Sequence, residues 1–335
     1  MSLMIKNPVL ARLRAAHQFW VLVLLSAAAV MLVALTAITG PVWKMPGTLE
    51  SWAAITIAIV FQALPFLVLG ILVSAVISAI VPEDLLRRFT PRNEVAAVPV
   101  VCSTGLLLPG CECASVPVSN ALMRRGIPPA AALAFLLASP AINPVVLIST
   151  AVAYTGRPEM AWARLVASLV AAVLVGWLWI AFGSDTSIKR SEVHGEVTVS
   201  KLEAFRTAAF HDLLNTGGFL VFGAMAAAAV KVLVPRYWFQ ALEQVPFATI
   251  LAVVVLAVLL SLCSEADAFI AASLTHTSLT AQLVFLVVGP MVDLKLIAMQ
   301  TGTWGGRFAR RFVPLTLLVA IAAGCFIGFL FFGSL

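Results

Sequence analysis

The sequence predicts an all-α polytopic membrane protein with two inverted-topology repeats, each with a broken helix or helical hairpin, plus an extra N-terminal transmembrane helix. Three observations predict it. The 335 residues are 62% hydrophobic and only 11% charged, with a mean hydropathy of +1.06, whereas soluble domains are about 45–50% apolar and roughly 25% charged. The apolar residues come in continuous runs of about 20, which suit helices crossing a bilayer core and not the alternating strands of a transmembrane barrel. Similar motifs also recur in the two halves of the chain at a nearly constant offset. The same composition excludes a soluble enzyme, a secreted domain and a disordered chain.

Taken in order, residues 1–51 hold the first apolar run, at 19–38. It is longer than a signal-peptide core and no small-residue cleavage site follows, so it is expected to be an uncleaved accessory span. The first repeat, 52–183, contains runs at 52–81, 95–123, 130–154 and 161–182. A long polar linker follows at 184–207. The second repeat, 208–335, contains runs at 213–234, 245–275, 279–299 and 312–332. Two of these runs are interrupted by polar clusters: Pro109-Gly110-Cys111-Glu112-Cys113 and Cys263-Ser264-Glu265-Ala266-Asp267. Each is expected to enter the membrane and turn at its cluster.

The repeat rests on several matches in the same order. Phe66-Leu67-Val68-Leu69-Gly70 and Val81-Pro82 match Phe219-Leu220-Val221-Phe222-Gly223 and Val234-Pro235 at an offset of 153. Cys111 aligns with Cys263 at 152, and Pro140-Ala141-Ile142-Asn143 aligns with Pro290-Met291-Val292-Asp293 at 150. Charge sets the orientation. With a cytoplasmic N-terminus and hairpins that return to their own side, fifteen of the 21 Lys and Arg residues are cytoplasmic, the bias of the positive-inside rule. Lys44, Arg157, Arg164, Lys231 and Arg236 fall on the opposite side or at helix ends, and Lys295 alone lies inside a span. The net charge of +6 is therefore a property of the loops. The two units begin on opposite sides, which makes the repeats inverted, an architecture in which transporters hold substrate at the repeat interface.

Cys111-Glu112-Cys113 is the most specific feature. Two thiols beside a carboxylate suit a soft ion such as Zn(II) or Cu(I), so Cys111 and Cys113 are candidate metal ligands. Cys102 and Cys263 could join them if the tips meet. Packing alone would explain Cys325, on a plain helix. Five cysteines in apolar surroundings do not form a disulfide framework, and one residue between two cysteines strains a disulfide, which disfavours a thiol oxidoreductase. Glu112, Glu265, Asp267 and Asp293 are the carboxylates inside apolar runs. Such residues are functional candidates by default, here as substrate ligands or proton carriers. The alternative is a structural carboxylate, neutral or paired with Lys295. Asp293 and Lys295 are too close in sequence to face each other on a regular helix, though a break at Pro290 would allow it. Asn143 lies between Pro140 and Pro144, whose rings free backbone carbonyls to line a cavity. As the counterpart of Asp293, it completes the expected substrate site.

These motifs resemble the predicted permease family that includes trivalent organoarsenical exporters (ArsP/YraQ-type permeases). The resemblance is carried by Cys111-Glu112-Cys113-Ala114-Ser115-Val116-Pro117, by Leu122-Met123-Arg124-Arg125-Gly126 and by the run from Ala134 to Pro144 that ends in Ser139-Pro140-Ala141-Ile142-Asn143-Pro144. Cys263-Ser264-Glu265-Ala266-Asp267-Ala268-Phe269 echoes it in the second half. It implies an inner-membrane permease that moves substrate outward, with Cys111 and Cys113 as binding residues. The expected partners are the lipid bilayer, a small-molecule or ion substrate, and protons as the coupling ion. Nucleic acid is not expected, and the sequence leaves the oligomeric state open. No nucleotide or cofactor motif occurs, so a secondary transporter without cofactor is expected, and not an enzyme. The rival reading is a membrane scaffold or subunit that transports nothing itself.

Overall fold

An apolar segment in lipid must satisfy its own backbone N–H and C=O groups, which favours helices. The computed structural model describes residues 47–79, 90–107, 111–183, 201–233, 246–261, 263–274 and 277–333, and no strand occurs among the described residues. The expected N-terminal span at 19–38 lies outside them, as do residues 184–200 of the linker and Pro109 and Gly110 of the first tip. The chain separates into two compact units, Met1–Glu50 and Ser51–Leu335. The elements that position the site belong to the second.

In chain order they are α1 (Gly47–Ala79), α2 (Glu94–Ser103) extended by a 3-10 turn (Thr104–Leu107), α3 (Glu112–Arg124), α4 (Pro129–Ile142), α5 (Pro144–Ala153) and α6 (Glu159–Phe182). The second half continues with α7 (Lys201–Leu233), α8 (Pro246–Leu260), α9 (Ser264–Ser273), α10 (Leu279–Met291), α11 (Leu294–Trp304) and α12 (Gly306–Phe332). Both halves have the same order: a long helix, a pair interrupted at a cysteine, a second interrupted pair, and a closing helix. Among the described residues, five stretches are long and apolar enough to cross a membrane: Gly47–Ile77, Pro129–Ala153, Glu159–Phe182, Leu279–Trp304 and Gly306–Phe332. In the most apolar windows of Pro129–Ala153 and Leu279–Trp304, 78% and 83% of residues are buried, against 22–39% in the other three. These two stretches form the interior, and the long helices surround them with apolar faces suited to lipid.

Both interior stretches are broken, although their sequences read as single runs at 130–154 and 279–299. At the first break, Pro144 disfavours helical backbone at the residue before it. Asn143 is accordingly extended (ψ 153°) and caps α5 by accepting from Val146 N at 3.0 Å. At the second, Val292 and Asp293 are extended and Asp293 caps α11 through Leu296 N. Hydropathy also misses two helix starts. Helix α7 begins at Lys201, inside the segment read as linker, because Lys, Leu, Glu and Ala favour helix without being apolar as a group. Helix α12 begins at Gly306, ahead of the run at 312–332, and takes Arg307, Arg310 and Arg311 into its first turns.

Two matched glycines sit at close helix crossings. A Cβ on Gly70 of α1 would lie 2.5 Å from the backbone Cα of Ala114 on α3. One on Gly223 of α7 would lie 2.9 Å from the Cα of Lys295 on α11. Small residues are how helices approach backbone to backbone where lipid supplies no hydrophobic drive. Here they seat the two elements that carry the site.

Candidate functional site

The first tip places three donors together. Cys111 is the extended N-cap of α3 (φ −78°, ψ 176°), and Glu112 and Cys113 occupy the first turn. All three are buried, and their ligand atoms lie within 4.8 Å of one another. The second tip is built alike. Cys263 is the extended N-cap of α9, with Glu265 and Asp267 in its first turn. A helix N-terminus carries partial positive charge, so acidic residues there are stabilised by the backbone even inside apolar surroundings.

The tips meet. The Cys111 thiol acts electrostatically on Cys113 in its own tip and on Cys263 in the other. Cys263 in turn donates to a Glu265 carboxylate oxygen. Three protein donors at one point match the ligand number of zinc sites that keep one position open. Cys102 is buried on α2 and is not part of the three-donor group.

The carboxylates divide between two basic residues. Lys295 Nζ donates to Glu112 Oε1 at 2.7 Å and lies 3.5 Å from Asp293 Oδ2. All three residues are at most 3% exposed, so this is a desolvated carboxylate–ammonium–carboxylate triad. Asp293 can face Lys295 because it sits on extended backbone (φ −138°, ψ 167°) outside the helix that holds Lys295. The break that permits this lies at Val292 and Asp293, while Pro290 remains inside α10. Glu112 Oε2 and Asp267 Oδ2 make no hydrogen bond among the described residues. Asp267 Oδ2 faces α10, where a Cβ on Gly289 would come within 2.6 Å of it.

Arg164 is the second basic residue and was missed by sequence reasoning. It is fully buried on α6, donates to Thr150 Oγ1 at 2.7 Å and to the Ser264 carbonyl at 3.1 Å, and acts electrostatically on Asp267 and Glu265. Its signal was available, since it is the sole charged residue in the run 161–182, but charge counting assigned it to the far side of the membrane. Lys295 was visible as a charge inside a span, yet its partner 183 residues away was not. Asn143 acts as a cap: its Oδ1 accepts from Val146 N and its Nδ2 donates to the Ser139 carbonyl at 3.2 Å. A further bond between the halves joins the Tyr154 hydroxyl to Gln282 Oε1 at 2.8 Å.

Comparison with known proteins gives one consistent result. Residues 48–329 match a family model described as "Predicted permease". A "Putative two-component membrane permease complex subunit" of Streptococcus mutans is 32% identical over 285 residues, covering 83% of this chain and 95% of the relative. The UPF0718 protein YcgR of Bacillus subtilis is 33% identical over 275 residues, covering 80% of this chain and 93% of the relative. The UPF0718 protein YraQ of Escherichia coli is 30% identical over 113 residues, about a third of each chain. No solved structure matches.

Proposed function

The chain belongs to the predicted permease family that its residues 48–329 match, and from that premise we propose that it is an inner-membrane secondary transporter exporting a thiophilic species. The cargo class is a soft metal ion, a metalloid such as a trivalent organoarsenical, or a thiol-bearing small molecule. Cys111, Glu112 and Cys113 hold it, with Cys263 from the other half. One observation carries the reading: at the break before one helix two buried thiols and a buried carboxylate gather within 4.8 Å of one another, and a second Cys-acidic tip opens the broken helix of the other half. Packing requires no such pair of cysteines. Export needs a site that both takes and releases its cargo, and three donors with one position to spare suit that better than a closed four-ligand cage.

A thiol that ligates a metal gives up its proton. Loading a divalent ion on Cys111 and Cys113 therefore releases two protons and leaves the buried charge unchanged, which makes proton exchange the natural coupling. Inverted repeats and a cytoplasmic N-terminus complete the proposal, so that the two halves rock about the shared site. The name of the Streptococcus relative supports a refinement in which this chain is one subunit of a two-component permease.

The purified chain in liposomes loaded with a Zn²⁺-responsive dye tests the reading, with a trivalent organoarsenical as the second cargo. Flux is expected for at least one cargo, and Cys111→Ser with Cys113→Ser should lower it at least tenfold, a loss of about 1.4 kcal/mol or more in the barrier balance. Unchanged flux in the double variant would overturn the reading. Flux that appears only when a second chain is reconstituted would establish the subunit form.

A further inference from the structure

We propose that Lys295 is a tethered competitor of the cargo. A soft divalent cation entering at Cys111 and Cys113 takes Glu112 from the ammonium, which then passes to Asp293. This rests on the reading of the cysteine cluster as the cargo site.

Glu112 belongs both to the three-donor group and to the ion pair with Lys295 at 2.7 Å. A cation that uses Glu112 as its oxygen ligand must therefore displace, or share with, a positive charge already bound there. Leaving that ammonium unpaired in the protein interior would be prohibitive. The structure offers it a second carboxylate oxygen. Asp293 is anchored through Oδ1 to Leu296 N, and its Oδ2 lies 3.5 Å from Nζ with no hydrogen bond among the described residues. The tight crossing at Gly223 holds the Lys295 backbone, so the movement falls to the side chain. The hand-over has a mechanical consequence: Glu112 begins α3 in the first half, whereas Lys295 and Asp293 begin α11 in the second. Loading the site thus dissolves an ion pair that joins the halves, and the return of Lys295 to Glu112 helps to expel the cation. A neutral trivalent arsenical, which needs only thiols, would leave the pair intact. Lys295 therefore separates divalent cations from neutral thiophiles.

Zn²⁺ titration of the purified full chain in lipid nanodiscs tests this. Lys295→Met should bind Zn²⁺ about tenfold more tightly than the native chain and release it more slowly, because the competing charge is gone. Lys295→Arg, which keeps the charge, should restore most of the competition. Because Lys295→Met leaves Glu112 buried alone, the comparison is repeated on Glu112→Gln, where position 112 carries no charge for Lys295 to hold. There the Met substitution should change Zn²⁺ affinity less than twofold, a double-mutant cycle that isolates the pair. Cysteine-dependent Zn²⁺ binding that is indifferent to Lys295→Met, or a gain of equal size in the Glu112→Gln background, overturns the proposal and leaves the site standing. Zn²⁺ binding that survives Cys111→Ser with Cys113→Ser, or none in any variant, overturns both.

Discussion

Lys295 and Glu112 show how much a single buried pair can decide. Each is a charge that the bilayer interior would reject alone, and each is acceptable because the other neutralises it at 2.7 Å. Lys295→Ala, which strands Glu112, should destabilise the protein by about 3–5 kcal/mol. Lys295→Met combined with Glu112→Gln should cost much less. Thermal unfolding in detergent checks the difference, and equal losses would mean that the pair is not the cause. At this scale the sequence was legible in kind and not in pairing. Glu112, Glu265, Asp267 and Asp293 stood out because they interrupt apolar sequence, but a partner 183 positions away leaves no trace in local spacing. The proximity of Asp293 to Lys295 depended on an extended N-cap, a feature of backbone conformation that periodicity cannot reveal.

Helix ends and crossings carry the next level of information. The tips at Cys111 and Cys263 were readable because a polar cluster in an apolar run marks a break, and both break there. The breaks at Asn143 and Asp293 were harder to see, since the runs around them stay apolar and the breaks span only one and two residues. The matched motifs around Gly70 and Gly223 gain a physical reason from the structure: each glycine faces the backbone of an element that begins at the site. Backbone cannot step aside as a side chain can. Gly70→Val should therefore displace α3, lowering stability by about 1–3 kcal/mol and weakening Zn²⁺ binding. Gly47→Val, with open space around it, should do neither. Size-exclusion profiles and binding titrations of the two variants would separate these outcomes, and equal behaviour would remove the crossing from the account.

Across the whole molecule, the two halves are joined by polar contacts between residues far apart in sequence. Lys295 reaches Glu112, Arg164 reaches the Ser264 carbonyl, and Tyr154 reaches Gln282. Composition revealed the membrane class, because it is a property of long stretches. The way the halves interlock was not legible, since it depends on which buried faces meet. Arg164 illustrates the gap: counted as a charge at a helix end, it lies fully buried against the second tip. The proposed place of the thiophilic cargo is the first tip, at Cys111, Glu112 and Cys113. X-ray absorption of the Zn²⁺-loaded chain in nanodiscs tests it most directly. At least two sulfur scatterers are expected at about 2.3 Å, lost when Cys111 and Cys113 are replaced by serine. A first shell of oxygen and nitrogen only, unchanged by that replacement, would contradict it.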